Sequence, residues 1–502
     1  MKLNDLIYAG EYEYVSSPDA MELTVNGVCS SSLDASEGFV FVCLRGVHTD
    51  GTMYMADAYR RGAAVCVCSS PPALLSGNYV IVKNARRTLA FMLSRFWQDA
   101  WKSMDIYALT GTNGKTSTAM FLREIFISAG YVTGYIGTLK SYINRERFYL
   151  GAADDEKMST MTTPDPEQLY KIIYGMRERG VQKLIIEASS HALKLDKLAP
   201  LHFSSSAFLN FSSDHLDFHL NTGDYLLSKC RIFSMSDKVI INADDPMCAA
   251  AARAFAAHSA SYGIENDGAD YVGKNVFYSL TDGVLYDLCY GEKSIQICSS
   301  VIGEFTVYNS LAAASIALSE GIDGQYVQKG IKALERIDGR LERLDLAGGF
   351  DISVFIDYAH TENAMEKLLM SVSQSKMAGQ RIVTLFGCGG DRDREKRAPM
   401  GRVASLYSDL VIVTEDNSRS EDPDAIIEDI MRGIDTQKEY IIIKNRKKAI
   451  QYAIKNAKIG DIILLVGKGH EQYEITKEGK VPFSEKEIVY ESLAQRKNGG
   501  HK

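Results

Sequence analysis

The stretch Ile106-Tyr107-Ala108-Leu109-Thr110-Gly111-Thr112-Asn113-Gly114-Lys115-Thr116-Ser117 carries the clearest structural signal in this chain. It starts with an apolar, strand-forming run and continues into a turn bracketed by two glycines, and a helical pattern from Ala119 to Ala129 follows. This order predicts a strand, a phosphate-binding loop and a helix N-terminus, where backbone N–H groups converge on anionic oxygens. We therefore expect a nucleotide-binding site at this turn.

The residue types in the turn match the chemistry of a nucleoside triphosphate. Glycines allow positive φ, so that successive N–H groups can face phosphate oxygens. The lysine can reach the β- and γ-phosphates, and a hydroxyl that follows it suits Mg²⁺. Leu109 stands where the common pattern has a further glycine, so this is a shorter form of the motif. We predict ATP and Mg²⁺ as cofactors, with nucleotide contacts from Gly111, Thr112, Asn113, Gly114, Lys115, Thr116 and Ser117.

Composition and charge limit the class of protein. The 502 residues suit about three domains of ~150 residues each, and 46% of the residues are hydrophobic, which is ample for buried cores. The net charge of −8 and the lack of a long basic run argue against nucleic acid as a partner. The nine cysteines are scattered, and the close pair Cys66 and Cys68 lies in an apolar run that predicts buried thiols. With no signal core and no apolar run near ~18 residues, we expect a cytoplasmic protein that does not bind membranes.

The chain divides into three units of alternating strand and helix patterns. They cover residues 1–103, 104–336 and 337–502. Short hydrophobic strands separated by helices predict mostly parallel sheets with crossover helices. We predict an α/β protein with a small N-terminal α/β domain, a central P-loop ATPase-like domain and a C-terminal Rossmann-like domain. The predicted strands are 39–44, 63–68, 79–82, 183–187, 207–210, 238–242, 353–356, 381–386, 410–414, 440–443 and 461–466; the predicted helices of the first unit are 53–61 and 88–101, and 259–303 is a β-rich insertion.

Polar or glycine-rich loops follow four of the predicted strands of the third unit. In open α/β sheets, ligands bind at the carboxyl ends of the strands. Four such loops at one edge therefore predict a binding face. The loops are Asp357-Tyr358-Ala359-His360, Gly387-Cys388-Gly389-Gly390-Asp391-Arg392-Asp393, Glu415-Asp416-Asn417-Ser418-Arg419 and Gly467-Lys468-Gly469-His470-Glu471.

Two further strand ends in the second unit carry candidate metal ligands. Glu187 ends one strand, and His215 lies shortly after another. A carboxylate and an imidazole close to a phosphate loop can share one divalent ion. Taken alone, His215 reads better as a capping or core histidine, and the hydroxyl pair Thr162-Thr163 before Pro164 reads equally well as the opening of a helix.

The motifs together resemble a known family. The phosphate loop, Thr162-Thr163-Pro164, Glu187 to Leu193, Asp214 to Asp217 and the four loops of the third unit occur in the order typical of the Mur ligases. The resemblance covers nearly the whole chain and is strongest to the members that add a diamino acid to UDP-N-acetylmuramoyl-L-alanyl-D-glutamate during peptidoglycan biosynthesis. It implies an ATP- and Mg²⁺-dependent, ADP-forming amide ligase that passes through an acyl phosphate, acts on small molecules and works as a monomer.

The resemblance also implies roles for individual residues. Lys115, Glu187, His215, Lys229 and Arg340 are expected to be catalytic. Thr116, Glu187, His215 and a carbamate on Lys229 are expected to bind metal, and carbamate formation needs an unprotonated amine. Asn309 and Asp357 are expected at the adenine and ribose. The expected substrate contacts are Ser30, Ser32, Val47, His48, Thr49, Thr162, Thr163, Ser189, Lys197, Arg392, Asp416, Asn417, Ser418, Arg419, Gly467 and Glu471.

Three departures from the family pattern concern substrate recognition. Leu33 and Lys197 stand where arginine is usual, and Ser418 replaces the proline of the Asn-Pro-Arg motif seen in diaminopimelate-type members. Arg419 keeps the guanidinium that pairs with the distal carboxylate of meso-diaminopimelate, whereas lysine-adding members have a small residue there. The sequence therefore favours meso-diaminopimelate over L-lysine, and the alternative is that Arg419 only pairs with Glu421 or Asp422.

Other functions stay open at this point. A folylpolyglutamate synthase-like ligase shares the phosphate loop, but its pattern has no diamino-acid loop. A diverged paralogue could use another peptide or amine. A non-catalytic nucleotide-binding relative is disfavoured, because Lys115, Glu187, His215 and Lys229 are all present.

Overall fold

A computed structural model describes residues 1–46, 49–72, 77–150, 161–346 and 350–499. The fold is α/β, as predicted, and three sheets follow one another along the chain, with a two-stranded hairpin near the C-terminus. In the order of the chain, the strands are β1 Tyr14–Val15, β2 Gly27–Cys29, β3 Phe39–Val42, β4 Val65–Cys68, β5 Tyr79–Ile81, β6 Asp105–Thr110, β7 Thr133–Gly137, β8 Lys140–Ile143, β9 Glu146–Arg147, β10 Lys183–Glu187, β11 Phe203–Phe208, β12 Ser236–Asn242, β13 Ser259–Gly263, β14 Tyr271–Ser279, β15 Gly283–Tyr290, β16 Lys293–Ser299, β17 Glu342–Arg343, β18 Ser353–Asp357, β19 Ile382–Phe386, β20 Leu410–Val413, β21 Tyr440–Ile442, β22 Ile462–Val466, β23 Tyr473–Thr476 and β24 Gly479–Pro482.

The helices of the described residues connect these strands. They are α1 Met55–Arg60, α2 Ala85–Phe96, α3 Lys115–Ser128, α4 Pro166–Arg177, α5 Ser190–Lys194, α6 Thr222–Cys230, α7 Pro246–Phe255, α8 Phe305–Ser319, α9 Gly324–Ala333, α10 Glu362–Ser375, α11 Arg397–Tyr407, α12 Pro423–Met431, α13 Arg446–Lys455 and α14 Glu485–Gly499. Short 3₁₀ helices cover Leu3–Asp5, Pro18–Glu22, Ser32–Asp34, Gly51–Tyr54, Ala100–Ser103 and Arg231–Met235. Within the parts of the chain described above, no helix is long and apolar enough to cross a membrane.

The first sheet has the order β1-β5-β4-β3-β2. Its strands are parallel except β1, which pairs antiparallel with β5. Cys66 and Cys68 on β4 are free thiols and fully buried, as their apolar surroundings in the sequence predict. The alternating faces of β4 therefore serve two cores: Val65 and Val67 pack on one side, and the cysteines pack on the other.

The central sheet places the phosphate loop in the middle of the molecule. Its strand order is β16-β15-β14-β13-β12-β11-β6-β10-β7-β8-β9. From β14 to β7 every neighbouring pair is parallel, and antiparallel strands extend both edges. Because β6 lies between β10 and β11, the loops after these three strands meet at one edge. Residues 106–110 of β6 are buried, so this strand is an apolar run without alternation.

The third sheet has the order β17-β18-β22-β19-β20-β21. All pairs are parallel except the short β17 against β18. The four polar loops predicted to form a binding face therefore follow β18, β19, β20 and β22 at the same edge, which confirms that placement. The two faces of the sheet pack against separate helix layers, so that this unit has two hydrophobic cores.

Several element boundaries differ from the sequence prediction. The predicted helix 88–101 begins at Ala85, because the Asn84 side chain caps it, and ends at Phe96, after which Gln98 and Asp99 have positive φ. The strand predicted at 207–210 is Phe203–Phe208, because buried serines continue it towards the N-terminus. The insertion predicted at 259–303 is β-rich, but its first two strands extend the parallel sheet.

Candidate active site

The phosphate loop joins β6 to α3 with the geometry that its sequence predicts. Gly111 and Gly114 have φ of +151° and +86°, and Gly114 is the residue before the helix. A Cβ on Gly114 would lie 2.4 Å from Asn309 Oδ1, so glycine is required there both for its φ and for space. Asn210, after β11, holds the loop by accepting the N–H of Asn113 on Oδ1 at 2.8 Å.

Two lysines, the half-buried Lys115 and the buried Lys229, converge on one carbonyl of this loop. Lys115 Nζ and Lys229 Nζ each donate to Gly111 O at 2.8 Å. Burial lowers the pKa of Lys115, against the opposing charge of Glu187, and burial holds the pKa of Lys229 well below its usual range. The floor of the loop therefore suits anions, and Lys229 is disposed to lose its proton.

Glu187, at the end of β10, is fully buried and held by hydroxyl and amide donors. Its carboxylate accepts from the Thr116 hydroxyl at 3.1 Å, from the Thr138 hydroxyl at 2.9 Å and from the Thr138 N–H at 3.2 Å. The Tyr135 hydroxyl also donates to it, and burial raises the pKa of this phenol well above its usual value. These contacts fix the carboxylate beside the hydroxyl of Thr116, as the predicted metal site requires.

His215 lies in a turn after β11 with φ of +54°, and its side chain is 43% exposed. It is therefore not the core histidine that its sequence suggests when it is taken alone. Burial lowers its pKa to about 3, against the raising effect of Asp214, so that the ring is neutral at pH 7. A neutral imidazole is the form that binds metals.

The fit of these residues to Mg²⁺ depends on the ligand set available. Among the described residues, no group of three or more His, Cys, Asp and Glu side chains could hold a metal ion. Thr116, Glu187 and His215 nevertheless line one cavity, and Lys229 lies outside its lining. Mg²⁺ is usually bound by one or two carboxylates together with substrate phosphates and waters. This sparse set fits such an ion.

The same cavity, of about 510 Å³, extends to the residues expected at the nucleoside. Asn309 on α8 and Asp357 at the end of β18 both line it. Asp357 accepts the N–H groups of Leu341 at 2.6 Å and Ala359 at 2.7 Å, and burial raises its pKa. Arg340 reaches from the third unit to within 3.5 Å of the Thr116 hydroxyl. The second and third units therefore share the nucleotide cavity.

The residues expected at the uridine lie elsewhere. Val47 and His48 fall outside the described residues. Ser30 donates its N–H and its hydroxyl to Glu167 on α4, and Ser32 is buried, with its hydroxyl lowering the pKa of Asp57. Thr49 is exposed. None of the described members of this set lines the nucleotide cavity.

The Thr162-Thr163 pair does more than open a helix. Asp165, not a threonine, precedes α4. The Thr163 hydroxyl donates to Glu187 O at 2.7 Å and lies 3.0 Å from Ser189 Oγ. Thr162 accepts from Thr138 at 3.2 Å. The pair therefore ties the Glu187 strand to its surroundings.

Lys197, which replaces the usual arginine, is nearly buried. Its Nζ lies 2.8 Å from Asp165 Oδ1, with which it forms an ion pair. The α4 helix begins immediately after Asp165. The lysine therefore stabilises the start of that helix beside the site.

The amino-acid loops of the third unit come together as predicted. Asn417 Nδ2 donates to Glu471 Oε2 at 2.8 Å, and Gly467 has φ of +116° beside Asp416. Ser418 is buried. Burial raises the pKa of Glu471. The pKa of Asp416 lies below its usual range, because the charges of Lys468 and Arg446 outweigh the opposing effect of burial.

Two arginines of these loops have different surroundings. Arg419 Nη1 donates to the carbonyls of Gly390 at 2.8 Å and Asn417 at 3.3 Å. Its suggested partner Glu421 is instead paired with Arg394 and Arg397. Within the described ranges Arg419 forms no ion pair, so the alternative role is wrong. Arg392 lies 3.9 Å from Asp217 of the central unit.

Sequence reasoning missed several residues of the site. Tyr135 and Thr138 hold Glu187, Asn210 holds the phosphate loop, and Lys468 contacts the amino-acid loop. The sequence signal for Thr138 was Gly137, the glycine that precedes it at the end of β7. A Cβ on Gly137 would lie 2.4 Å from Glu187 Oε1, so a glycine is needed there. Tyr135 lies inside an apolar strand, so its hydroxyl looked like part of the core.

Comparison with known proteins agrees with this geometry. The family model for the Mur ligase middle domain matches residues 109–317, and that for the Mur ligase, glutamate ligase domain matches residues 339–469. The chain is 35% identical over 502 residues to the UDP-N-acetylmuramoyl-L-alanyl-D-glutamate–2,6-diaminopimelate ligase of Syntrophomonas wolfei, covering 98% of this chain and 99% of that protein. It is also 35% identical over 498 residues to the ligase of the same name from Caldanaerobacter subterraneus, covering 99% of each.

A solved structure gives the same result. A structure of UDP-N-acetylmuramoyl-L-alanyl-D-glutamate–2,6-diaminopimelate ligase superposes on this chain with a TM-score of 0.69 at 26% identity, and the match covers 99% of both chains. The sequence matches, the shared fold and the phosphate-loop geometry agree along the whole length. This chain belongs to the Mur ligase family.

Proposed function

We propose that this protein is an ATP-dependent, ADP-forming ligase that adds meso-diaminopimelate to UDP-N-acetylmuramoyl-L-alanyl-D-glutamate in peptidoglycan precursor biosynthesis. The names of its full-length relatives support this assignment. The structural observation that carries it is Arg419. Its guanidinium donates to carbonyls of the diamino-acid loops and forms no ion pair in the described chain, while Glu421 is paired with Arg394 and Arg397.

The reaction joins a carboxylate and an amine in two steps. The γ-phosphate of ATP moves to the substrate carboxylate and gives an acyl phosphate and ADP. The incoming amine then attacks the acyl carbon, loses a proton and releases phosphate. Phosphoryl transfer depends mainly on positioning and charge stabilisation. Lys115 and Arg340 supply positive charge, and Arg340 does so from the third unit.

Magnesium fits the hydroxyl, carboxylate and neutral imidazole of Thr116, Glu187 and His215. When bound, the ion supplies positive charge at the transferring phosphoryl group. Tyr135 and Thr138 keep the Glu187 carboxylate in place without the ion, so little reorganisation is needed.

Lys229 fits the proposed carbamate. The protonated lysine first loses one proton. Attack of its neutral amine on CO₂ then forms an N–C bond and releases a second proton, so that a cation becomes an anionic oxygen ligand. Burial and the neighbouring charge of Lys115 both favour the neutral amine that this step requires. The group would then contribute oxygen atoms from beneath Gly111.

The diamino acid would bind at the loops of the third unit. We assign Arg419 to the distal carboxylate and Arg392 to the other carboxylate. Glu471 and the backbone at Gly467 would meet the distal ammonium. Burial raises the pKa of Glu471, and an ammonium beside it would lower that pKa again and favour the charged carboxylate.

The nucleoside of ATP would lie at the far end of the cavity. We assign Asn309 to the adenine and Asp357 to the ribose, because both line the space beyond the phosphate loop. Asp357 already accepts two backbone N–H groups, and a carboxylate has room for a further donor.

The UDP-sugar peptide would lie along the first and second units. We assign its uridine end to the first unit and its sugar and peptide to the residues after β10. The proposed contacts are Ser30, Ser32, Val47, His48, Thr49, Thr162, Thr163, Ser189 and Lys197.

We further propose three domains with boundaries at residues 1–103, 104–336 and 337–502. The strands of the three sheets fall within residues 14–81, 105–299 and 342–466, which supports these divisions. The protein is proposed to act as a cytoplasmic monomer on small molecules, without nucleic acid or membrane.

Phosphate release decides between this function and its alternatives. The protein is incubated with ATP, Mg²⁺ and UDP-N-acetylmuramoyl-L-alanyl-D-glutamate, together with meso-diaminopimelate, L-lysine or other amines. Release only with meso-diaminopimelate supports the proposal. Release with L-lysine or another amine would reassign the amine, release with a folate and glutamate would indicate a folylpolyglutamate synthase, and no release with any pair would indicate a non-catalytic relative.

A further inference from the structure

Lys468 is a buried cation beneath the amino-acid loop. It lies two residues after the end of β22, and its side chain is fully buried. Its Nζ donates to Asn417 Oδ1 at 3.0 Å and to Tyr473 O at 3.0 Å, and it lies 3.6 Å from Asp416 Oδ1. The reaction chemistry above gives this ammonium no task.

The position of Lys468 determines how Asn417 is oriented. An ammonium can only donate hydrogen bonds, so the amide atom facing it must be the oxygen. The same Oδ1 accepts the N–H of Ile475 at 2.9 Å. The amide nitrogen therefore faces the opposite way and donates to Glu471 Oε2. Without Lys468, the Ile475 N–H would be the one remaining donor that fixes the orientation of the amide oxygen among the described residues.

The hairpin of β23 and β24 holds the next part of the loop. Arg419 has φ of +52°, a conformation that is costly for a residue with a side chain. Its N–H donates to Ile475 O at 3.0 Å, so both backbone groups of Ile475 contact the loop. Ser418 leaves its own φ free, since only proline fixes that angle. The restraint on the loop therefore comes from the hairpin and Lys468, which also contacts the hairpin at Tyr473 O.

We propose that Lys468 is a positioning residue for amino-acid selection, which fixes Asn417 and, together with the hairpin 473–482, the placement of the Arg419 guanidinium. This role rests on the proposed function. It requires no contact between Lys468 and the substrate. Loss of the ammonium removes the cation from Asn417 Oδ1 and leaves Asp416 with Arg446, 3.9 Å away, as its remaining cation. The loop should therefore populate other conformations while the nucleotide site stays intact.

The test compares Lys468→Met with the unmodified enzyme. We expect the KM for meso-diaminopimelate to rise roughly 10- to 100-fold, the effect of losing a charged hydrogen-bond donor in a buried network. The preference for meso-diaminopimelate over L-lysine should fall by a similar factor. The KM values for ATP and for the UDP-substrate should stay within roughly threefold, which a general loss of folding would not allow.

Arg381→Met is the matched control. Arg381 forms an ion pair with the buried Asp461 at 2.8 Å, at the opposite end of the same sheet. This variant also removes a cation from a buried carboxylate of the third unit. It should lower stability without changing the amino-acid preference.

Ile475→Pro tests the same network from the hairpin side. It removes the N–H that reaches Asn417, and that N–H points to the loop and not to the partner strand. It should raise the KM for meso-diaminopimelate in the same way, and it decides the question if Lys468→Met does not fold.

The outcomes separate the two proposals. An unmodified enzyme that ligates meso-diaminopimelate, with a Lys468→Met variant of unchanged KM and preference, would overturn the positioning role alone. An equal change of preference in Arg381→Met would also overturn it. An unmodified enzyme that ligates no diamino acid would overturn the proposed function and this role with it.

Discussion

Replacing Arg419 by alanine tests how the enzyme selects its amino acid. The side chain is half-buried, and its hydrogen bonds to protein in the described chain run through Nη1 to the carbonyls of Gly390 and Asn417. The other nitrogens can bind a carboxylate with two parallel bonds. At about 1.5 kcal/mol for each charged bond at a half-exposed site, the pair contributes about 3 kcal/mol, or roughly 150-fold in kcat/KM.

We therefore expect Arg419→Ala to lower kcat/KM for meso-diaminopimelate by roughly 10²-fold and to change the rate with L-lysine far less. In the unmodified enzyme, L-lysine should be used ~10³-fold less well or worse, since it leaves the arginine unpaired. Initial rates of phosphate release with each amino acid give both numbers. Arg394→Ala is the control, because it removes an exposed arginine of the same unit that pairs with Glu421. Unchanged use of meso-diaminopimelate by Arg419→Ala, or a preference of the unmodified enzyme for L-lysine, would refute this reasoning.

Three other expectations concern the ligase chemistry, domain closure and pH. Lys229→Ala should lower kcat by roughly 100-fold or more with little change in the dissociation constant for ATP, and added acetate should restore part of the rate; a fully active variant would end the carbamate proposal. Small-angle scattering should show a smaller radius of gyration when a non-hydrolysable ATP analogue and the UDP-substrate are both bound, because Arg340 brings the third unit to the phosphate loop; an unchanged radius would count against closure. Burial, together with the nearby charge of Arg340, lowers the pKa of His470 to about 4, so its contribution to stability is complete above pH 6.5 and is lost as the pH falls towards 4. Because such a group changes the unfolding free energy by at most about 1.4 kcal/mol per pH unit, urea denaturation of His470→Gln should show a shallower pH dependence in this window, and an identical slope in both proteins would exclude the effect.

The sequence predicted the parts of the molecule in which local pattern and final environment agree. β10 runs from Lys183 to Glu187 as predicted, because every residue of that strand is buried and the apolar pattern is continuous. The phosphate loop was equally clear, since its glycines are needed for the backbone itself. The loops after β18, β19, β20 and β22 were placed at one edge from the rule for parallel sheets alone.

The remainder depended on contacts between distant residues. The serines of β11 look like loop residues in sequence, yet Ser205 and Ser206 are fully buried in the sheet. Tyr135 could not be assigned to the site, because its partner Glu187 is far away in the chain. Whether Arg419 pairs with Glu421 also could not be predicted, because it depends on which arginines lie close to that carboxylate once the elements have packed together.

The nucleotide cavity also bears on how the chain reaches its native state. Thr116 meets Glu187 across 71 residues and Arg340 across 224 residues. The cavity is therefore complete only after parallel strands from remote parts of the chain have paired, which is a slow step in folding. A nucleotide bound there favours the native state by mass action and does not bind earlier states that lack the cavity. The supply of ATP in the cell would then influence how much of this enzyme persists, as well as how fast it works.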